Sequence, residues 1–252
     1  MKSLLVALLF LGVGFVPAKG LTEATDYFRQ GNEAYEKGNF EEAVADYDKA
    51  GQFGASDARL YFNHANALFR LKQLGSSILY YEKARKIAPL DEDILFNLRF
   101  AQAQVADKIP EPESNLLTKV MWSIHAGYSL HAGIWAAFAL FVLIFAGFSA
   151  ALFLTSFLRW LSAAAAMLSL LALLAFSPSL FYKIHQQENE QYGIVLQPVA
   201  EMLSGPGSNY QVLARVHEGT RFEIVEQHGE WLSVKLANGK GGYVRANQLG
   251  KV

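Results

Sequence analysis

Six histidines, His64, His125, His131, His185, His217 and His228, are the side chains in this sequence best suited to bind a metal or move a proton near neutral pH. They are scattered, and none stands in an HExxH spacing. No G-x-S-x-G elbow or phosphate-cradling G-x-x-x-x-G-K-[ST] run occurs. The glycine-rich Asn238-Gly239-Lys240-Gly241-Gly242 reads as a hairpin turn, with Asn238 and Gly239 both able to take positive φ. Carboxylate runs at Glu41-Glu42 and Asp91-Glu92-Asp93 fall at helix starts, where negative charge favours the helix dipole. There is no cysteine, so disulfides, thiolate metal sites and lipidated cysteine are excluded. These residues predict a non-enzymatic protein with no cofactor. What remains is recognition chemistry, carried by aromatic and asparagine side chains at recurring positions.

Those positions recur every 34 residues. Tyr27 falls in register with Tyr61, Phe28 with Phe62 and Phe96, Gly31 with Ala65, Ala43 with Ser77, Tyr47 with Tyr81, and Ala50 with Ala84. A period of this length, with small residues at close-packing positions, predicts helix–turn–helix repeats over 22–106. Gly38-Asn39 supplies the first turn, Pro89 ends the second repeat, and a last helix over about 93–105 caps the array. The residues Gly31, Gly38, Phe40, Ala43, Tyr47 and Ala50, followed by Ala65, Leu74, Ser77, Tyr81, Ala84 and Pro89, resemble the tetratricopeptide (TPR) pattern.

The resemblance implies a concave groove lined by the first helix of each repeat. Phe28, Asn32, Phe62, Asn63, Asn66, Phe96 and Phe100 are its candidate partner-binding residues. Two readings stay open: the phenylalanines line a groove for a peptide or helix, or they pack between repeats. Capture of a C-terminal carboxylate fits poorly, because Phe28 and Asn97 stand where the family places basic residues.

Composition places these repeats beside a membrane. Apolar residues make up 52% of the chain and charged ones only 18%, with a formal net charge of −1. Near-neutral charge gives no reason to expect a nucleic-acid partner. Lys2, the apolar run from Leu4 to Val16 and the small residues Ala18 and Gly20 predict a signal peptide over 1–20; an uncleaved anchor is the alternative. After the polar spacer 107–115, the sequence carries no Asp, Glu, Lys or Arg between Lys119 and Arg159, nor between Arg159 and Lys183. Two transmembrane helices are predicted, over 133–154 and 160–182, preceded by an interfacial segment at 116–132. Trp135, Trp160 and Tyr182 suit the headgroup level. The clusters Ala136-Ala137 and Ala163 to Ala166 suit close helix packing. The signal sequence and Arg159 in the short loop put both soluble modules on the periplasmic side of the bacterial inner membrane.

From about 192 the hydrophobic period becomes two, with turns roughly every ten residues, which predicts a small β-barrel over 192–252. Its marks resemble the bacterial SH3-like (SH3b) pattern: Ser204-Gly205-Pro206-Gly207, Val212-Leu213, Gly219-Thr220, Gly229-Glu230-Trp231-Leu232-Ser233-Val234 and Gly242-Tyr243-Val244. The resemblance implies a cell-wall or protein ligand. Tyr210, Trp231 and Tyr243 are the candidate ligand face; Trp231 capping the core is the other reading.

The fold class expected is therefore multidomain, α plus membrane plus β. This order of modules resembles the BatE family of the Bat aerotolerance operon of Gram-negative bacteria. That resemblance implies membrane-protein partners with von Willebrand A-type domains and an envelope complex linked to stress tolerance. Two functions follow: a membrane-anchored protein–protein scaffold, or a peptidoglycan-binding, wall-sensing protein acting through the SH3-like domain.

Overall fold

A computed structural model describes residues 18–110, 123, 125, 127–189 and 191–252. It falls into two compact units, one ending at Ser56 and the other running from Asp57 to Val252. Nearly all of the expected signal peptide, part of the spacer and most of the interfacial segment lie outside the described residues.

The first unit is a helical hairpin of α1 (Ala18–Glu36) and α2 (Phe40–Gln52). The chain reverses at Gly38, whose φ of +81° is a conformation only glycine takes without strain. Ala24, Ala34, Ala43 and Ala50 are buried, so the helices approach closely around Tyr47. Gly31 is required there: a Cβ at this position would lie 2.6 Å from the Tyr47 ring.

In the second unit, α3 (Ala58–Arg70) and α4 (Leu74–Ile87) repeat the hairpin, and α5 (Glu92–Ala103) follows. The Asp57 carboxylate accepts from Leu60 N–H at 2.8 Å. Asp91 likewise accepts from the N–H groups of Asp93 and Ile94, capping α5. The 34-residue register holds at the level of single bonds. The Tyr47 hydroxyl donates to Asn32 Oδ1 at 2.9 Å, and the Tyr81 hydroxyl donates to Asn66 Oδ1 at 2.5 Å. Phe28 packs on Tyr47 with ring centroids 6.1 Å apart, and Phe62 packs on Tyr81 at 5.9 Å.

Two helices, α6 (Leu130–Phe153) and α7 (Ser156–Asn189), form an antiparallel pair. At 1.5 Å per residue, α6 is about 36 Å long, enough to cross a hydrocarbon core of about 30 Å. Its most apolar stretch has a mean hydropathy of 2.4, and that of α7 reaches 2.0. Both helices expose large side chains such as Phe145, Leu152, Phe157 and Leu168. Such a pair is long and apolar enough to cross a membrane. Its seam differs in part from the alanine clusters read from the sequence. Gly133 seats Tyr128 and Leu180, and Gly147 faces Ala166, where a Cβ would come within 2.9 Å of the Ala166 methyl. Ala166 is fully buried whereas Ala136 is exposed, because the seam follows the 4-3 spacing of Gly133, Ala137, Leu140, Ile144 and Gly147.

The remaining strands form one antiparallel seven-stranded sheet in the order β3-β2-β6-β5-β4-β1-β7. They are β1 (Gln191–Val195), β2 (Val199–Leu203), β3 (Val212–His217), β4 (Arg221–His228), β5 (Trp231–Lys235), β6 (Gly241–Arg245) and β7 (Leu249–Lys251). Alternation puts Phe222, Ile224, Leu232, Val234 and Val244 inward, with Val195, Met202 and Leu249 closing the core. A register shift between Ile224 and Glu226 interrupts the β4–β5 ladder, and Val225 is left exposed there. The β5–β6 turn is longer than a two-residue hairpin. Gly239 N–H donates to the Leu236 carbonyl at 2.9 Å, and of Asn238 and Gly239 only the glycine has positive φ, +85°. This is a turn closed by a left-handed glycine, so Asn238 need not adopt positive φ.

Within the Asp57–Val252 unit the barrel packs directly on the second repeat. Ile194 of β1 shares one apolar cluster with Ile78, Leu79, Leu98 and Val105. Helix α4 has no acidic residue in its first turn and no side-chain cap of its own. Glu218 of the barrel supplies the missing charge, accepting from Gly75 N–H at 2.7 Å. Gly75 occupies the register position of Glu41, and any side chain there would collide with the Val195 carbonyl oxygen. Gly219, at φ +87°, presses against Val105 and Ile78, where a Cβ would come within 2.7 Å of Val105.

Candidate functional site

Several places among the described residues have the make-up of recognition sites or latches. The first is aromatic. Phe96 and Phe100, one helical turn apart on α5, stack at 6.5 Å with an interplanar angle of 12°, and Phe69 meets Phe100 at 5.8 Å. Phe96 is 62% exposed and Phe100 55%, unusual for phenylalanines held in place by neighbours. The row of phenylalanines that the repeat aligns is thus divided by environment. Phe28 and Phe62 are half-buried on their repeat's tyrosine, whereas Phe96 is presented to solvent. The register position that would supply a third tyrosine is Asn115, outside the described residues.

The asparagines are committed inside the repeats. Asn32 and Asn66 hold the tyrosine hydroxyls, and Asn97 Nδ2 also donates to Asn66 Oδ1 at 3.1 Å. Asn63 is half-buried on α3. Burial raises the Tyr47 hydroxyl well above the usual phenol range, with Tyr35 and Glu36 adding to it, so this group stays a neutral donor. An asparagine and a tyrosine fifteen residues apart recur in both repeats, and the two hydrogen bonds share this spacing.

The second place is a cleft of about 580 Å³ on the outer face of the barrel, lined by Glu201, Tyr210, Arg215, Trp231, Arg245 and Gln248 among others. Trp231 opposes Arg245 across β5–β6 and faces away from the inward Leu232. The Arg245 guanidinium lies 5.1 Å from the centroid of its ring. Tyr210 is seated by the Ser204-Gly205-Pro206-Gly207 loop. A Cβ at Gly205 would strike its ring and one at Gly207 would press on it at 3.2 Å, and Ser204 N–H donates to the Gln211 carbonyl at 2.9 Å to close the loop. Arg215 and Glu201 pair at 3.1 Å on the cleft wall. Tyr243 is outside the cleft lining but shares the outer face with Trp231: it stands two residues before Arg245 and meets, at 5.9 Å, the ring of His228, the β4 residue opposite Trp231. Tyr210 and Trp231 thus line the cleft itself, and Tyr243 lies beside it on the same face. Arg215 and Arg245 are cleft residues that the aromatic pattern alone did not bring out.

The third is a latch between the repeat and the barrel. Asp107 accepts from His217 N–H at 2.6 Å and from the Thr220 hydroxyl at 2.7 Å, and its other oxygen meets His217 Nδ1 at 2.9 Å. Partial burial pushes its carboxyl up, but the bonds from Thr220 and His217 outweigh this and hold it below the usual carboxylate range. The segment read as a spacer thus begins with a residue bound to the barrel. The other histidines are placed separately. His64 is buried in α3 against the Tyr80 ring at 3.9 Å, His125 meets Ser179 of α7, and His131 is exposed.

Comparison with known proteins agrees with the modules. Residues 197–251 match the bacterial SH3 domain family, residues 31–72 a TPR repeat family, and residues 58–89 a tetratricopeptide repeat family. The chain contains TPR repeats and a bacterial SH3 domain. Over 41 residues it is 39% identical to YrvJ of Bacillus subtilis (strain 168), whose name gives it as a candidate N-acetylmuramoyl-L-alanine amidase. The match covers 16% of this chain and 8% of that protein. The crystal structure of an NlpC/P60 family protein from Bacillus cereus ATCC 10987 aligns with 28% of this chain and 23% of its own, at 22% identity and a TM-score of 0.22.

Proposed function

We propose that this protein is a non-enzymatic, membrane-anchored scaffold that holds a protein partner at the bacterial envelope. The observation that carries the reading is the exposed Phe96–Phe100 stack on α5. Aromatic anchors of this kind concentrate binding energy when a partner covers them, and the TPR fold is a protein-binding scaffold. The repeat behind the stack is braced by the barrel, which lowers the ordering cost of binding. Helices α6 and α7 fix the assembly in the inner membrane, and the soluble modules face the periplasm. The order of modules supports membership of the BatE family, with partners carrying von Willebrand A-type domains and a role in aerotolerance. Crosslinking the intact protein in cells tests this: a stoichiometric membrane protein with such a domain is expected, and its absence overturns the assignment of partner.

A second reading rests on the barrel cleft. Tyr210 and Trp231 offer aromatic surfaces to sugar rings or apolar groups, while Arg215 and Arg245 offer donors to carboxylates. Peptidoglycan presents both kinds of group, and the stretch shared with YrvJ supports a wall ligand. Sedimentation of the full chain with purified peptidoglycan is the measurement. Retention that falls tenfold or more in Trp231→Ala supports wall binding; passage of the wild-type chain into the supernatant excludes it.

A further inference from the structure

A second cleft, of about 160 Å³, lies where the end of α7 meets α4 and the barrel strands β1 and β4. Four cations line it: Arg85 and Lys86 from the last turn of α4, Lys183 from α7 and Arg221 from β4. Glu82 is the one side-chain carboxylate among the described lining residues. The carbonyl end of α4 accounts for Arg85 and Lys86. It does not account for Lys183 and Arg221, which arrive from other elements. Among the described residues, their contacts are as follows. Lys183 Nζ donates to the Tyr128 carbonyl at 2.8 Å and lies 4.5 Å from the centroid of that ring. The Arg221 guanidinium stacks on Tyr192 at 3.9 Å. Lys86 Nζ reaches a main-chain oxygen of Val252 at 3.5 Å, and Arg85 pairs with Glu82 at 2.6 Å. A lysine carries three donors and an arginine five, so these contacts leave N–H groups for a further acceptor.

We propose that this cleft binds a phosphate-bearing anion, either the phosphodiester of an anionic lipid headgroup or a free phosphate ion. Like charges from three elements converge at low cost only when an anion lies among them. The volume is roughly ten times what one water molecule needs, enough for a tetrahedral oxyanion. Lys183 is the first charged residue after the apolar stretch of α7, which sets the cleft at headgroup depth. Only the lipid source rests on the membrane-anchored reading.

The full chain in an uncharged detergent, followed by native mass spectrometry, tests the site with three probes: dioctanoyl phosphatidylglycerol, dioctanoylglycerol without a phosphate, and inorganic phosphate. Binding of phosphatidylglycerol without inorganic phosphate assigns a lipid headgroup; inorganic phosphate binding in competition with it assigns a phosphate pocket. In either case K183Q/R221Q is expected to weaken binding tenfold or more, while R159Q, at the other end of the hairpin, binds as the wild type does. The exposed K86Q, with a smaller expected loss, is read in the same way should the double variant not fold. Equal binding of dioctanoylglycerol, no binding of either phosphate probe, or unchanged binding in the cleft variants overturns the proposal.

Discussion

Lys72 closes the turn between α3 and α4 at φ +61°, the position that Gly38 fills one repeat earlier. A side chain in the left-handed region costs about 1–2 kcal/mol, part of which glycine returns as unfolded-chain entropy. Lys72→Gly is therefore expected to stabilise the second repeat by about 0.5–1 kcal/mol, read as a raised thermal midpoint. His64 works in the opposite direction. Burial, helped by Lys83, lowers its pKa from 6.5 to about 4, so the folded chain keeps it neutral where the unfolded chain binds a proton. Its contribution is complete above the unfolded value and is lost as pH falls from 6.5 towards 4, by about 3 kcal/mol. Circular dichroism melts of the full chain at about pH 7 and about pH 4.5 should show this loss, and His64→Gln should flatten it. At this scale the sequence was partly legible. The period marked Tyr47 and Tyr81 as special, yet Asn32 and Asn66 read equally well as ligand groups. A hydrogen bond between helices cannot be told from an open groove by spacing alone.

The repeat helices, the pair of apolar helices and the C-terminal strands each carry a periodic or compositional signal, so the fold class was legible. Their docking carries none, because its components are isolated substitutions within otherwise regular repeats. Gly75 replaces the acidic residue that Glu41 supplies in the first repeat, and the uncapped α4 takes its charge from Glu218 instead. Asp107 looked like the start of a spacer because the residues after it are polar and proline-containing. Asp107→Asn removes the charge that His217 and Thr220 bind, at a cost on the order of 2 kcal/mol. Gly219→Ala adds a strained φ and a clash with Val105. In both variants, backbone amides of β1 and α4 are expected to exchange hydrogen faster than in the wild type, while β5 and β6 stay protected. Loss of protection throughout the barrel would instead show that Asp107 supports the barrel fold itself.

At the scale of the whole molecule, the Asp57–Val252 unit joins a helical repeat, the barrel and two apolar helices, and presents an aromatic stack on α5. That arrangement suits a scaffold better than a pair of independently tethered binding modules. Phe62 and Asn66 are poor positions at which to test it, since both support Tyr81 and their loss would unsettle the repeat. Phe96 and Phe100 are exposed, so their truncation removes surface without opening the core. The most direct measurement is in-cell crosslinking from a photoreactive residue placed at the exposed Ala103, on the same face of α5, followed by purification of the intact membrane complex. One membrane protein is expected to crosslink in stoichiometric amount, and Phe96→Ala with Phe100→Ala should lower its recovery tenfold or more without altering the thermal midpoint. Recovery of the same partner at the wild-type level from that double variant would contradict the account.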